Sequence, residues 1–437
     1  MIDAFPALPF LDRITSPRYP ASRVLISAAS MLIHPIVTLP VLVFLLGGNP
    51  GQIAIYAIIA GIASGLTGSA GGFVAARPGA SRIVIVGLLA VQALGFLFAI
   101  VAGLGVDGLG NDALLRLAAI AFLMLTLPGT MLARIGEQGH EFRRAASASI
   151  GGIMPAVTGT LLAGLTVWRL FEAGGLGSAD LLARALVGGA LLATAGAWLA
   201  HFPTILARQL PHPARPMPTI EWPGILSNRP LLRYAGYRLI EGLARFADPF
   251  LLVGVITLIS PGVTWIGGAV LAFAIGDSLA RIVATRAFRP SNVRGVFITA
   301  GFFHALAFII VAFAGDVLGA SVISERDLSE GWRDWSAVVA ALALGISYQL
   351  GRTGHVAYIR SITSPGTREL SHAASGIVTV ITAFSPIIAV LILDVRDVAT
   401  VLQFGAGASV VSLLATALIV PTYAPPRRRW SAWGLRR

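Results

Sequence analysis

Stretches of about twenty apolar residues recur along the whole chain, each long enough to cross the roughly 30 Å hydrocarbon core of a bilayer as a helix. They lie at 22–46, 52–75, 83–104, 114–134, 146–168, 184–206, 232–259, 264–286, 295–315, 336–359, 371–393 and 398–420. Breakers mark the turns between them: Gly47-Gly48-Asn49-Pro50-Gly51, Gly174-Gly175 and Ser260-Pro261-Gly262. Only 12% of the residues are charged and 56% are apolar, and a water-soluble surface cannot be built from that mixture. The sequence predicts an all-α polytopic membrane protein with twelve transmembrane helices, because only helices or closed barrels satisfy the backbone in lipid. The chain has no cysteine, which excludes disulfides, thiolate metal sites and a cysteine nucleophile.

Arginine placement predicts the orientation. With the N-terminus inside, the cytoplasmic segments hold most of the arginines, including Arg13, Arg18, Arg23, Arg208, Arg215 and the run from Arg427 onward. The outer loops hold Arg116, Arg169, Arg184, Arg326, Arg333 and Arg396. Both termini are therefore expected in the cytoplasm, in a bacterial inner membrane. Positive-inside topology accounts for the net charge of +12, so nucleic acid is not an expected partner. Residues 1–20 lack the apolar core of a cleavable signal, and the first span is expected to serve as the signal.

The chain reads as two related halves. Arg77-Pro78-Gly79-Ala80-Ser81-Arg82 follows the second span and Arg289-Pro290-Ser291-Asn292-Val293-Arg294 follows the eighth. Arg144, Ser147, Gly152, Ile153 and Thr158 recur as Arg368, Ser371, Gly376, Ile377 and Thr382, and His34-Pro35 recurs as Asp248-Pro249. Three matches in one order predict a parallel repeat. The expected organisation is a cytoplasmic segment 1–21, a six-helix bundle 22–206, a proline-rich cytoplasmic linker 207–231, a second bundle 232–420 and a basic tail 421–437.

This arrangement resembles the major facilitator superfamily. The family signature between spans 2 and 3 is Gly-x-x-x-Asp-Arg-x-Gly-x-(Arg/Lys)-(Arg/Lys). Here Gly72, Arg77, Gly79 and Arg82 match it, whereas Ala76 stands at the aspartate position. The resemblance implies alternating access and a cytoplasmic latch, and Ala76 puts that latch in doubt. The gate or latch candidates are Arg77, Arg82, Asp277, Arg281, Arg289 and Arg294. A Gly-rich fifth span with a central proline, Gly151-Gly152-Ile153-Met154-Pro155, is similar to another family habit.

Ionisable side chains at membrane depth are expensive and should face the bundle interior with a partner. Arg238, Glu241, Arg245 and Asp248 are spaced by three, four and three residues, which puts them on one face of the seventh span. This stripe is either a self-neutralising ladder or the wall of an aqueous cavity. Asp248 and His34 each precede a proline that loosens the helix, and each can carry a proton. His304, Arg352 and His355 complete the substrate or proton-coupling candidates. Arg352 lies deeper than a snorkelling arginine needs to, as an anion contact or as the partner of a carboxylate such as Glu241.

No residue cluster points to a metal, no Walker A sequence points to ATP, and no nucleophile motif points to an enzyme; no cofactor is expected. The leading expectation is a secondary transporter of a small organic, in one version anionic, solute, with proton coupling. The expected partners are that solute and the lipid bilayer, and no protein partner is indicated. A lipid or amphiphile transporter on the same fold, or a non-transporting receptor or assembly member of a membrane complex, are the alternatives.

Overall fold

The computed structural model describes residues 18–75, 78–104, 108, 110–139, 150–173, 178–206, 229–259, 263–287, 293–314, 330–362 and 368–419. Arg77 and Arg289 lie outside these, as do most of the linker and the basic tail; Arg82 is helical, and its side chain lies outside the description. Among the described residues the structure is helical throughout, without strands.

The helices are α1 (Arg18–Leu32), α2 (Thr38–Leu45), α3 (Pro50–Ala75), α4 (Pro78–Leu104), α5 (Asn111–Gly139), α6 (Ile150–Glu172) and α7 (Ser178–Leu206). The second set is α8 (Arg229–Ala244), a 3-10 segment (Arg245–Phe250), α9 (Leu251–Leu258), α10 (Val263–Ala287), α11 (Val293–Ala314), α12 (Glu330–Ile362), α13 (Arg368–Thr382), α14 (Pro386–Val395) and α15 (Val398–Ile419). Nine stretches within the described residues are long and apolar enough to cross a membrane: α3, α4, α5, α6, α7, α10, α11, α13 with α14, and α15. Three segments read as spans fall outside that group: the rods α1–α2 and α8–α9 and the helix α12.

Each break has a local cause. Pro35 cannot donate to the helix ladder, so α1 stops at Leu32; Thr38 Oγ1 donates to Met31 O across the gap at 2.8 Å. Pro249 does the same in the second set, where six residues tighten into the 3-10 segment. The α13–α14 break precedes Pro386, and Ser385 Oγ there donates to Gly242 O of α8 at 3.0 Å. At the end of α2 the chain reverses through Gly47, whose φ of 81° favours glycine. The Gly47 and Gly48 amides donate to Phe44 O and Val43 O, and Asn49 and Gln52 then cap each other to start α3.

The packing partners repeat. In the first set α1 packs on α6 and α7, α5 on α3 and α4, and α4 on α7. In the second set α8 packs on α13 and α15, α12 on α10 and α11, and α11 on α15. The sets meet principally along two seams, α3 against α13 and α6 against α10. Both seams depend on close backbone approach. A Cβ on Gly65 would lie 2.7 Å from Gly376 O, and one on Gly267 would lie 2.8 Å from Phe171 Cβ. Beyond their breaks α2 and α9 also touch, and Leu39, Val41, Leu251 and Val253 are among the buried residues of the main core.

Candidate functional site

The face of α8 and the 3-10 segment carries a continuous chain of polar contacts. It begins at Tyr234, whose hydroxyl lies 3.0 Å from His355 Nδ1 of α12. Arg238 Nη1 donates to Glu241 Oε2 at 2.9 Å, and its Nη2 donates to Thr379 Oγ1 of α13 at 3.2 Å. Arg245 is shared: its Nη2 donates to Glu241 Oε1 at 3.2 Å and its Nη1 to Asp248 Oδ2 at 3.3 Å. Asp248 ends the chain, with Oδ1 2.7 Å from His304 Nε2 of α11. The helical spacing read from the sequence thus brings four charges together, and α11, α12 and α13 each add a side chain.

Two features of this chain have chemical consequences. His355 Nε2 lies 2.7 Å from Arg238 Nη1 and 2.8 Å from Glu241 Oε2. A guanidinium only donates and a carboxylate only accepts, so this nitrogen serves one of them at a time: as N–H it faces Glu241, and as a lone pair it receives from Arg238. Asp248 is 2% exposed and His304 3%. Burial this complete makes the loss of either partner costly. The 3-10 backbone places Asp248 beside Arg245 while turning its second oxygen toward α11.

His34 lies elsewhere. At the α1–α2 break its ring packs against Phe273 of α10 with centroids 4.7 Å apart, and against Tyr348 of α12 at 5.2 Å. No hydrogen bond or ion pair among the described residues joins His34 to Asp248. Arg281 Nε donates to Asp277 Oδ2 at 2.6 Å within α10. Arg352 is exposed and makes no hydrogen bond or ion pair among the described residues; the partners of Glu241 are Arg238, Arg245 and His355 instead. Arg294 donates to the Ala417 carbonyl of α15. The structure therefore gathers Arg238, Glu241, Arg245, Asp248, His304 and His355 into a C-terminal polar chain and leaves His34, the Asp277–Arg281 pair and Arg352 outside it.

Sequence reasoning missed Tyr234, Thr379 and Phe273. Tyr234 stands one turn before Arg238 and extends the same stripe, a signal that was available. Thr379 and Phe273 are ordinary helix residues, and nothing in their local sequence marks them. Among the described residues no group of three or more histidines and carboxylates is placed to hold a metal ion.

No protein-family model matches the chain, and no curated protein matches it. Solved structures do. A mutant form of the nucleoside transporter NupG superposes with a TM-score of 0.63 at 13% identity, covering 92% of this chain and 100% of that one. A bacterial homologue of the iron transporter ferroportin in an inward-facing state gives 0.57 at 14% identity, covering 93% and 98%. An auto-inhibited POT family peptide transporter gives 0.61 at 14% identity, also covering 93% and 98%. At such low identity the likeness establishes architecture, and with the apolar helices it establishes a multi-pass integral membrane protein built on the major facilitator fold.

Proposed function

We propose that this protein is a secondary transporter that moves a small organic anion by alternating access, coupled to a proton. The halves are residues 22–206 and 232–420, joined by a cytoplasmic linker 207–231, with both termini inside a bacterial inner membrane. The repeated packing pattern supports the two halves: the five principal pairings within the first set have counterparts in the second, and the two seams are counterparts of each other. The neighbours of this fold are transporters of nucleosides, iron and peptides; their diversity leaves the solute to be argued from the residues of this chain.

The observation that carries the coupling is the divided loyalty of Arg245. It donates to both Glu241 and Asp248 at nearly equal distances, while Asp248 holds His304 on its other oxygen. A shift of Arg245 toward Glu241 would leave Asp248 with His304 alone and a shift back would restore the pair, and in the proposed cycle this exchange of partners is the step to which a proton is coupled. The 3-10 segment gives the backbone the freedom for that shift, since its hydrogen bonds are weaker than those of an α-helix.

The test is uptake of a panel of labelled organic anions into proteoliposomes, with and without an imposed pH gradient. Asp248→Asn should abolish gradient-driven accumulation and leave exchange across the membrane intact. Accumulation by Asp248→Asn equal to that of the unaltered protein would remove the proton from this site and make the polar chain structural.

A further inference from the structure

Within the second set of rods, take the charges that lie more than about a turn and a half from a rod end. They are Arg238, Glu241, Arg245 and Asp248 on the α8–α9 rod, Asp277 and Arg281 on α10, and Arg352 on α12. The acids are all spoken for. Glu241 and Asp248 are balanced by Arg238 and Arg245, and Asp277 by Arg281 at 2.6 Å. Arg352 is left over. It is exposed, ten residues from the end of its helix, and has no hydrogen-bonding or ionic partner among the described residues.

The place of Arg352 shows what its exposure means. It stands one turn from Tyr348, whose ring meets His34, a residue only 7% exposed in the bundle interior. Arg352 therefore shares a helix face with the residue that meets His34, and because His34 comes from the first set, this exposed guanidinium stands beside the boundary between the halves. Phe273, 1% exposed, is packed away against His34, while the partly exposed Tyr348 ring is available to a ligand.

We infer that Arg352, backed by Tyr348 and His34, binds the solute, and that the solute is a monoanionic carboxylate with an apolar body. An unpaired guanidinium at membrane depth is costly, and one negative charge relieves it. A guanidinium and a carboxylate match in planar, two-point geometry, and the Tyr348 face supplies contact for the rest of the molecule. A dianion would leave a negative charge uncompensated, because Arg281 is already committed to Asp277. A neutral amide would leave Arg352 unpaired.

The inference rests on the transporter reading for the word solute, but the binding site can be tested without transport. The full chain, purified in detergent in a low-salt zwitterionic buffer free of carboxylates and chloride, is titrated with benzoate, benzamide, phthalate and chloride while its thermal unfolding is followed. Benzoate should raise the midpoint saturably, at least about tenfold more tightly than the other three. Arg352→Gln should lose that tenfold preference for benzoate over benzamide, whereas Arg352→Lys should keep part of it. The midpoint of each variant without ligand reports whether it is folded. A response to benzamide equal to that to benzoate, a benzoate response unchanged in Arg352→Gln, or no benzoate response would each overturn the assignment. Equal protection by chloride would overturn the organic part and leave an inorganic anion site. Benzoate binding without uptake of any anion in proteoliposomes would retain the site and defeat the transporter reading instead.

Discussion

Replacing Glu241 should destabilise the protein more than replacing Glu241 and Arg238 together. Glu241 is 5% exposed and accepts from both Arg238 and Arg245, with His355 beside it. In Glu241→Leu, Arg245 keeps Asp248, so the uncompensated charge belongs to Arg238, which retains only Thr379 and His355. Breaking a buried pair by removing one member costs ~3–5 kcal/mol; the surviving Thr379 and His355 contacts place this case near the lower end, at ~3 kcal/mol. Arg238→Leu should cost less, about 1–2 kcal/mol, because Glu241 keeps Arg245. The double variant removes one charge of each sign and leaves Arg245, Asp248 and His304 balanced, so its loss should also be about 1–2 kcal/mol, against about 4–5 kcal/mol for simple addition. The assay is reversible unfolding in mixed detergent micelles followed by tryptophan fluorescence, read as a double-mutant cycle. Additive losses, or a Glu241→Leu protein as stable as the parent, would refute the account of the polar chain as an electrostatically coupled unit.

Two further outcomes follow from local geometry. A Cβ at Gly65 would meet Val380 N at 2.8 Å and Gly376 O at 2.7 Å, both backbone atoms that cannot turn aside. Gly65→Val should therefore wedge α3 from α13 and cost about 1–3 kcal/mol in the same unfolding assay. In the turn before α15, the side chain and amide of Thr400 donate to Asp397 Oδ1 at 2.7 and 2.8 Å. These bonds hold the Asp397 carboxyl below its ordinary range, so its contribution to stability is present above the unfolded-state value and fades as pH falls through the folded one. Thermal unfolding of Asp397→Ala should trail the parent near neutral pH and converge with it in acid.

Much of the architecture was legible because its causes are local. The length of apolar runs dictates helices that span a membrane. Pro35 and Pro249 dictate where two of them break, and the three-four-three spacing of Arg238, Glu241, Arg245 and Asp248 dictates a shared face. The α13–α14 break carried the same signal in Pro386 and was read as one uninterrupted span. The tertiary pairings were not legible. Asp248 meets His304 across 56 residues and Arg238 meets His355 across 117, and no pattern along either helix selects those partners over others at the same depth. The same holds for His34. Its place before a proline, matched to Asp248, suggested one shared site, but the two breaks turn their polar residues into different surroundings, one toward α10 and α12 and the other toward α11. Arg352 was recognised as too deep for a snorkelling residue, yet its lack of a partner could be seen only after the carboxylates had been assigned to the other arginines.

The proposed alternating access requires the two halves to rock about the seams α3–α13 and α6–α10. The absence of cysteine allows spin labels to be placed in pairs without background. Ile83 and Val283 are exposed near the proposed cytoplasmic ends of α4 and α10, and Leu104 and Val395 are exposed near the opposite ends of α4 and α14. Each pair takes one residue from each half. Pulsed electron–electron resonance on the two doubly labelled proteins in lipid nanodiscs, measured across a pH step with and without benzoate, reads both distances. Alternating access predicts that one distance lengthens as the other shortens; distances that stay fixed, or change in the same direction, would contradict it.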